Sequence, residues 1–198
     1  MVSVALGTED ELSEAIGLRL LAEQGGVLDA SLLLRKSGFG YLRSKMDSWR
    51  QLAQYQPVVL ITDLDRVTCP VLLLRDWVGA NPIPDSLLVR IAVREVESWL
   101  LADHDAMRAL LGSGRLPPHP DELPDPKQHL LRLAKRASRS IRQDLLREEG
   151  SVSAQGLGYN ARLTDLVRSG WSPEKGAERS PSLARARRRI AELAERLR

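Results

Sequence analysis

The chain opens on an apolar run, residues 2–7 in "VSVALG", and then changes period. In "EDELSEAIGLRLLAEQGG" the apolar residues Leu12, Ile16, Leu20 and Leu21 recur at helical spacing before a Gly-Gly stop. This pattern predicts a strand followed by a helix. "VLDASLLLR", residues 27–35, predicts a second strand. "SGFGYLRSKMDSWRQLAQY" predicts a glycine-bearing loop and then a helix with Leu42, Met46, Trp49 and Leu52 or Ala53 on one face. Residues 58–62 are apolar on both faces, as in a strand covered from both sides, and run straight into Asp63 and Asp65. "CPVLLLRDWVG" has proline at a first-turn position and predicts a third helix. "LLVRIAVREVESWLLAD", residues 87–103, predicts a fourth strand leading into a helix. Strands alternating with helices at this spacing imply an α/β fold, a mainly parallel four-stranded sheet flanked by helices.

After Gly112 the pattern changes. "RLPPHPDELPDPK" holds five of the eleven prolines and predicts a loop or lid. Beyond it, Leu130, Ala134, Ala137, Ile141 and Leu145 in "KQHLLRLAKRASRSIRQDLL" predict one helix, followed by the glycine-rich "QGLGYN" and a basic helix over 183–197. The reading is an α/β core over 1–112 with a proline-rich loop and basic helical extension, 113–198, packed on it as a single globular unit. A content of 43% hydrophobic residues among 198 supports a core of that size. Cys69 has no partner for an internal disulfide, and no N-terminal stretch reads as a signal peptide or membrane span, so the expected location is the cytoplasm.

The net charge of +3 says little about partners, but its distribution says more. "TEDELSE" carries four acids and no base. Between residues 127 and 147 stand seven basic residues, among them Lys127, Arg132, Lys135, Arg136, Arg139 and Arg142, against the single acid Asp144. The stripe from Arg132 to Arg142 lies largely opposite the apolar positions and is available to phosphates, although a solvated face is the commoner reason for such a stripe. Tyr159 and Asn160 stack on a base or order their loop. Trp49, Trp77 and Trp99 read as core, and His104, His119 and His129 have no ligand spacing.

The carboxylates carry the candidate chemistry. If the third strand continues through Asp63 and Asp65, their side chains share one side and can share one cation, for which Mg²⁺ or Mn²⁺ suits such hard oxygens. Taken alone, the pair also fits the acids of an exposed turn. Glu9 follows the first strand as Asp63 follows the third, and Glu95 and Glu97 follow the fourth in alternation. In a parallel sheet all of them reach one edge, an unfavourable cluster unless a metal or proton neutralises it. The competing role is helix capping, preferred for Asp10 and Glu11, whereas metal binding is preferred for Glu9, Asp63 and Asp65.

A Glu-bearing turn after strand one, a helix, a hydrophobic strand ending in DxD and a later acid resemble the TOPRIM (topoisomerase-primase) domain, especially that of OLD-type nucleases. The likeness is closer to small bacterial TOPRIM-like proteins, through "EDELSEA", "GFGYL", "ITDLDR", "VREVESWLLAD", "PDPK", "GYN" and "RSPSLARA", over nearly the whole chain. The resemblance implies a TOPRIM-like (Rossmann-like) sheet and Mg²⁺-dependent phosphodiester chemistry. In many such systems it also implies a companion ABC-type ATPase in phage defence or repair. Glu9 then matches the family glutamate, Asp63 and Asp65 the DxD pair, and Glu97 or Glu95 the later acid. One position departs: Asp10 stands where the glutamate is usually followed by glycine, which bears on backbone approach at that turn.

On this reading the chain is a Mg²⁺-dependent nuclease. Lys127 would offset charge developing on the phosphate, unless it is a solvated first-turn lysine. Nucleic acid, an ABC-type ATPase and a second copy of the chain are the candidate partners; a membrane is not. Two alternatives stand beside it. One is a non-catalytic TOPRIM-like module binding nucleic acid or an ATPase, which Asp10 favours. The other is a HAD-type phosphatase, because "DLDRV" fits a nucleophile-and-acid/base loop, although that motif normally opens its fold and here two strands precede it.

Overall fold

A computed structural model describes residues 1–35, 40–147 and 155–198. Four short runs rich in Val, Leu, Ile and Ala form the strands β1 (Val2–Thr8), β2 (Leu28–Arg35), β3 (Val58–Asp63) and β4 (Leu87–Ala92). They pair side by side in the order β2-β1-β3-β4, every pair parallel. Parallel neighbours need crossovers, supplied by α1 (Glu11–Ala22), by α2 (Tyr41–Ser44) with α3 (Met46–Leu52), and by α4 (Pro70–Val78). Because α1 carries the chain from β1 to one edge while α2 and α3 bring it back past β1 to β3, the direction of winding reverses between β1 and β3. Crevices open at such a reversal, outside the carboxyl ends of the strands.

Strand alternation divides the core. Val4, Leu6, Val59, Ile61 and Leu88 face α1 and the C-terminal helices, whereas Ala5, Val58, Leu60, Leu87 and Val89 face Leu42, Met46 and Trp49 of α2 and α3. α1 lies close on the sheet because Gly17 has no side chain: a Cβ there would stand 2.8 Å from Leu6 Cδ1.

After β4 the chain is helical: α5 (Glu97–Ala102), α6 (His104–Leu111), α7 (Pro126–Ala134), α8 (Arg139–Leu145), α9 (Tyr159–Ser169), α10 (Pro173–Ala177) and α11 (Pro181–Arg196). Leu130, Leu163, Trp171 and Ile190 join the same apolar cluster as the α1 face of the sheet, so the extension covers that face together with α1. The single helix expected from Leu130 to Leu145 is two. α7 ends at Ala134, and Ser138 begins α8 by accepting a hydrogen bond from the Ile141 amide, while Ala137 between them is buried.

The proline-rich segment is a fastened loop. Leu116, Pro117 and Pro120 are buried, and one 3₁₀ turn forms at Pro120–Glu122. Asp121 accepts hydrogen bonds from Ser180 Oγ (2.7 Å) and the Ser182 amide (2.8 Å) at the start of α11. Asp125 caps α7 through the Gln128 amide, with Pro126 in its first turn. No helix among the described residues is long and apolar enough to cross a membrane.

Candidate functional site

Parallel pairing puts the carboxyl ends of β1, β3 and β4 side by side. The segments leaving them carry the acids. After β1 the chain turns at Asp10, whose side chain caps α1 by accepting from the Ser13 amide at 2.7 Å. Asp10 is extended (φ −146°, ψ 177°), so any residue can adopt its conformation and the turn does not require glycine. Glu9 is free of capping and accepts a hydrogen bond from Thr62 Oγ1 at 2.7 Å.

β3 ends at Asp63, so the condition under which Asp63 and Asp65 would share one face of a continuing strand is not met. The Asp63 carboxylate accepts from the Val96 amide at 2.9 Å, reaching toward the entry of α5. Leu64 stays buried and donates its amide to Ala92 O. Asp65 takes a left-handed conformation (φ 50°) facing a second left-handed residue, Arg94 (φ 67°). The Asp65 amide donates to Arg94 O, and the Arg94 guanidinium donates back to the carbonyls of Asp65 (3.0 Å) and Val67 (3.1 Å). The two aspartates therefore reach the site from a strand end and a turn, not from one face of a strand. Non-glycine residues in this region are uncommon, and such strain gathers where function over-determines the backbone.

Glu95 and Glu97 do not alternate on a strand either, because β4 stops at Ala92 and Glu97 begins α5. Glu95 accepts the Lys127 amide at 3.0 Å. Glu97 is buried, with 2% of its surface exposed. Its Oε1 accepts from the Tyr159 hydroxyl at 2.9 Å and lies 3.3 Å from Lys127 Nζ, while Oε2 has no partner. The Lys127 ammonium also stands 5.8 Å from the centre of the Tyr159 ring.

The electrostatics show one connected cluster. Burial, followed by the charges of Glu97, Asp10, Asp65 and Glu95, pushes the Asp63 carboxyl well above the ordinary aspartate range. Burial also raises Glu9, opposed by the Thr62 hydrogen bond and reinforced by Asp65 and Asp10. Burial raises Asp65 against the pull of Lys127 and Arg66, and raises Glu95 against the hydrogen bond from the Lys127 amide. Burial alone would lower Lys127, but Glu97, Glu95 and Asp63 outweigh it and hold the ammonium above the usual lysine value. Tyr159 is raised by burial and by Glu97, so its phenol stays protonated and donating.

Glu9, Thr62, Asp63 and Asp65 line a cleft of about 740 Å³ whose other walls include Arg43, Arg66 and Trp77. Glu95, Glu97 and Lys127 meet Asp63 from the helical side. Every candidate ligand is a carboxylate oxygen, the donor type that Mg²⁺ and Mn²⁺ take, and Glu97 offers a buried oxygen without a partner, so the set fits a hard divalent cation in kind. As the side chains stand, no group of three His, Cys, Asp or Glu among the described residues is arranged to hold a metal ion.

The remaining predicted residues fall elsewhere. Tyr159 is 1% exposed and cannot stack on a base; its ring and hydroxyl instead complete the Glu97–Lys127 pair. Asn160 is half-buried in the first turn of α9. Arg132, Lys135, Arg136, Arg139 and Arg142 are exposed, but the break at Ser138 divides them among α7, the turn and α8. Arg139 and Arg142 border a separate concavity. Of the "GFGYL" stretch, Gly38 and Phe39 lie outside the described residues.

Sequence reasoning passed over Thr62, whose hydroxyl is indistinguishable in a strand pattern from an ordinary β-former, and Arg94, whose left-handed backbone has no signature in its type. Compared with known proteins, the chain matches no family model, no curated protein and no solved structure.

Proposed function

We propose that this chain is a Mg²⁺- or Mn²⁺-dependent phosphodiesterase acting on nucleic acid. The observation that carries the reading is the gathering of Asp63, Asp65, Glu95 and Glu97 around one lysine, with Glu9 beside Asp65, at the winding reversal of a parallel sheet, and Asp63 driven toward protonation by its buried, anionic surroundings. Acids gathered this way await a compensating cation.

In this reading Glu9, Asp63 and Asp65 hold the metal, with Glu97 and Glu95 behind them. A bound divalent ion would supply an activated water and charge stabilisation at the leaving oxygen. Thr62 fixes the orientation of Glu9 by its hydrogen bond, and the Val96 amide does the same for Asp63. Arg66 and Arg43, on the cleft wall, bind phosphate oxygens, and Lys127 offsets negative charge growing on the reacting phosphate. The family resemblance extends the proposal to phage defence or repair beside an ABC-type ATPase.

A second reading is favoured by one contact. The Lys127–Glu97 pair neutralises part of the cluster without a metal, as a binding module would require.

Incubation of the purified chain with plasmid DNA or RNA and Mn²⁺ or Mg²⁺ separates these readings. Cleavage is expected, together with its loss by roughly a thousandfold or more in the Asp63→Ala/Asp65→Ala variant, as for removal of residues that act as a unit. Undiminished cleavage by that folded variant rules the nuclease out. Hydrolysis of simple phosphate esters with a beryllofluoride adduct at Asp63 would select the HAD-type phosphatase instead.

A further inference from the structure

β4 is an edge strand, and Arg90 in its middle is turned toward α11. A guanidinium withdrawn from water needs partners, yet in the half-buried Arg90 the Nε atom is buried without one, and the Arg90 side chain makes no hydrogen bond or salt bridge among the described residues. The charges facing it from α11 are Arg189, Glu192, Arg185 and Arg188. Glu192, the one acid, is already engaged, 2.6 Å from Arg189 and 3.6 Å from Arg188. Burial and the surrounding arginines bring the Arg90 guanidinium down to about 10.

Beside Arg90, at the sheet edge between α4 and α11, lies a cavity of about 170 Å³ lined also by Arg185 and Ser182 and floored by Pro70 and Val71. Arg185 is exposed and makes no salt bridge among the described residues, whereas Arg187, on another side of α11, is held by Glu23 at 2.9 Å. The arrangement is an unfilled demand for negative charge. Unlike the acids of the cleft, arginines cannot meet it by losing protons at neutral pH.

We propose that the cavity between β4, α4 and α11 is a phosphate-binding site, and that its ligand is the backbone of a nucleic-acid strand running along α11. Arg90 and Arg185 hold one phosphate. Arg189 lies one turn beyond Arg185, about 6 Å along the helix axis, and with the exposed Arg188 it engages phosphates further along the strand. A single free anion fills the cavity but leaves that row unused. The site is separate from the acid cluster and stands whether or not that cluster cuts.

Fluorescence anisotropy of the full chain with labelled single-stranded DNA and RNA, in EDTA so that no cleavage occurs, tests the assignment. Arg90→Gln/Arg185→Gln is expected to weaken binding roughly tenfold or more and to flatten the log–log salt slope by about 0.7, the change for one lost single-strand phosphate contact. Arg139→Gln/Arg142→Gln should change affinity less than about twofold, as befits charges outside the binding row. The Arg90 variant removes a half-buried charge whose Nε has no partner, so a melting temperature no lower than that of the parent chain shows that lost binding is not lost folding. Equal affinity in the Arg90/Arg185 variant, or loss confined to the α8 pair, overturns the assignment. So does stabilisation by inorganic phosphate with no binding of either oligonucleotide.

Discussion

Two regions of this molecule gather like charges around a single opposite one. At the winding reversal, Asp63, Asp65, Glu95 and Glu97 act on Lys127, with Glu9 beside Asp65; at the outer edge of the sheet, Arg90 meets Arg185, Arg188 and Arg189 with Glu192 as the one acid among them. They differ in how the strain can be relieved. A carboxylate in the first cluster can take up a proton, and Asp63, Glu9, Asp65 and Glu95 are all displaced toward doing so. Arg90, even lowered to about 10, stays charged throughout the physiological range, and with Glu192 already taken by Arg189 and Arg188 only an anion from outside can answer it. One region is therefore sensitive to pH and cations, the other to anions and salt.

The comparison breaks most visibly at its lysine. Lys127→Met leaves the buried Glu97 facing other carboxylates without its cation, and should cost about 2 kcal/mol, below the range for a fully buried pair because part of the lysine is exposed. By thermal denaturation this is a drop of roughly 4–8 °C for a chain of this size. Adding Glu97→Gln should restore more than half of it, and an additive double variant would show that the pair is not coupled.

Next is the pH dependence of the acid cluster. Because Asp63 is raised in the folded state, the native chain binds more protons than the unfolded one between the ordinary aspartate range and the raised value, and stability falls as pH rises through that window. Asp63→Asn keeps an acceptor for the Val96 amide and removes the charge. It should raise the metal-free melting temperature at pH 8 by roughly 2–4 °C, equivalent to about 1 kcal/mol. That advantage should shrink as pH falls toward 4. An advantage that instead grew with acid would mean the carboxyl is not raised.

The smallest effect tests the other region. The difference in melting temperature between Arg90→Gln and the parent chain should stay within about 1–2 °C of constant from pH 5 to pH 9, since no guanidinium titrates there. A marked slope would place a titrating group, absent from the charges facing Arg90, against that pocket.

The strands and the meeting of the acids were legible in the sequence, because both follow from parallel order: apolar runs pair, and whatever succeeds their carboxyl ends shares an edge. The Asp10 cap was legible for a local reason, a short acid ahead of a helical pattern. What escaped depends on contacts distant in sequence. Asp65 leaves the strand because Arg94 binds its carbonyl across the turn. Tyr159 is drawn inward because Glu97, buried 62 residues away in the chain, accepts the hydrogen bond that its hydroxyl donates. The helix break at Ser138 was hidden by apolar spacing that runs through it without a change of phase. Arg90 has the sequence look of a polar residue on an edge strand, and only the packing of α11 over it reveals its isolation.

Asp121 has a mechanical consequence. By gripping Ser180 and the Ser182 amide, about 60 positions further along, it turns a stretch stiffened by prolines into a strut braced at both ends. Since α7 begins where that strut lands, the ammonium over Glu97 owes its placement to a brace on the opposite side of the loop. Cutting the brace at Asp121 would unsettle a charge it never touches.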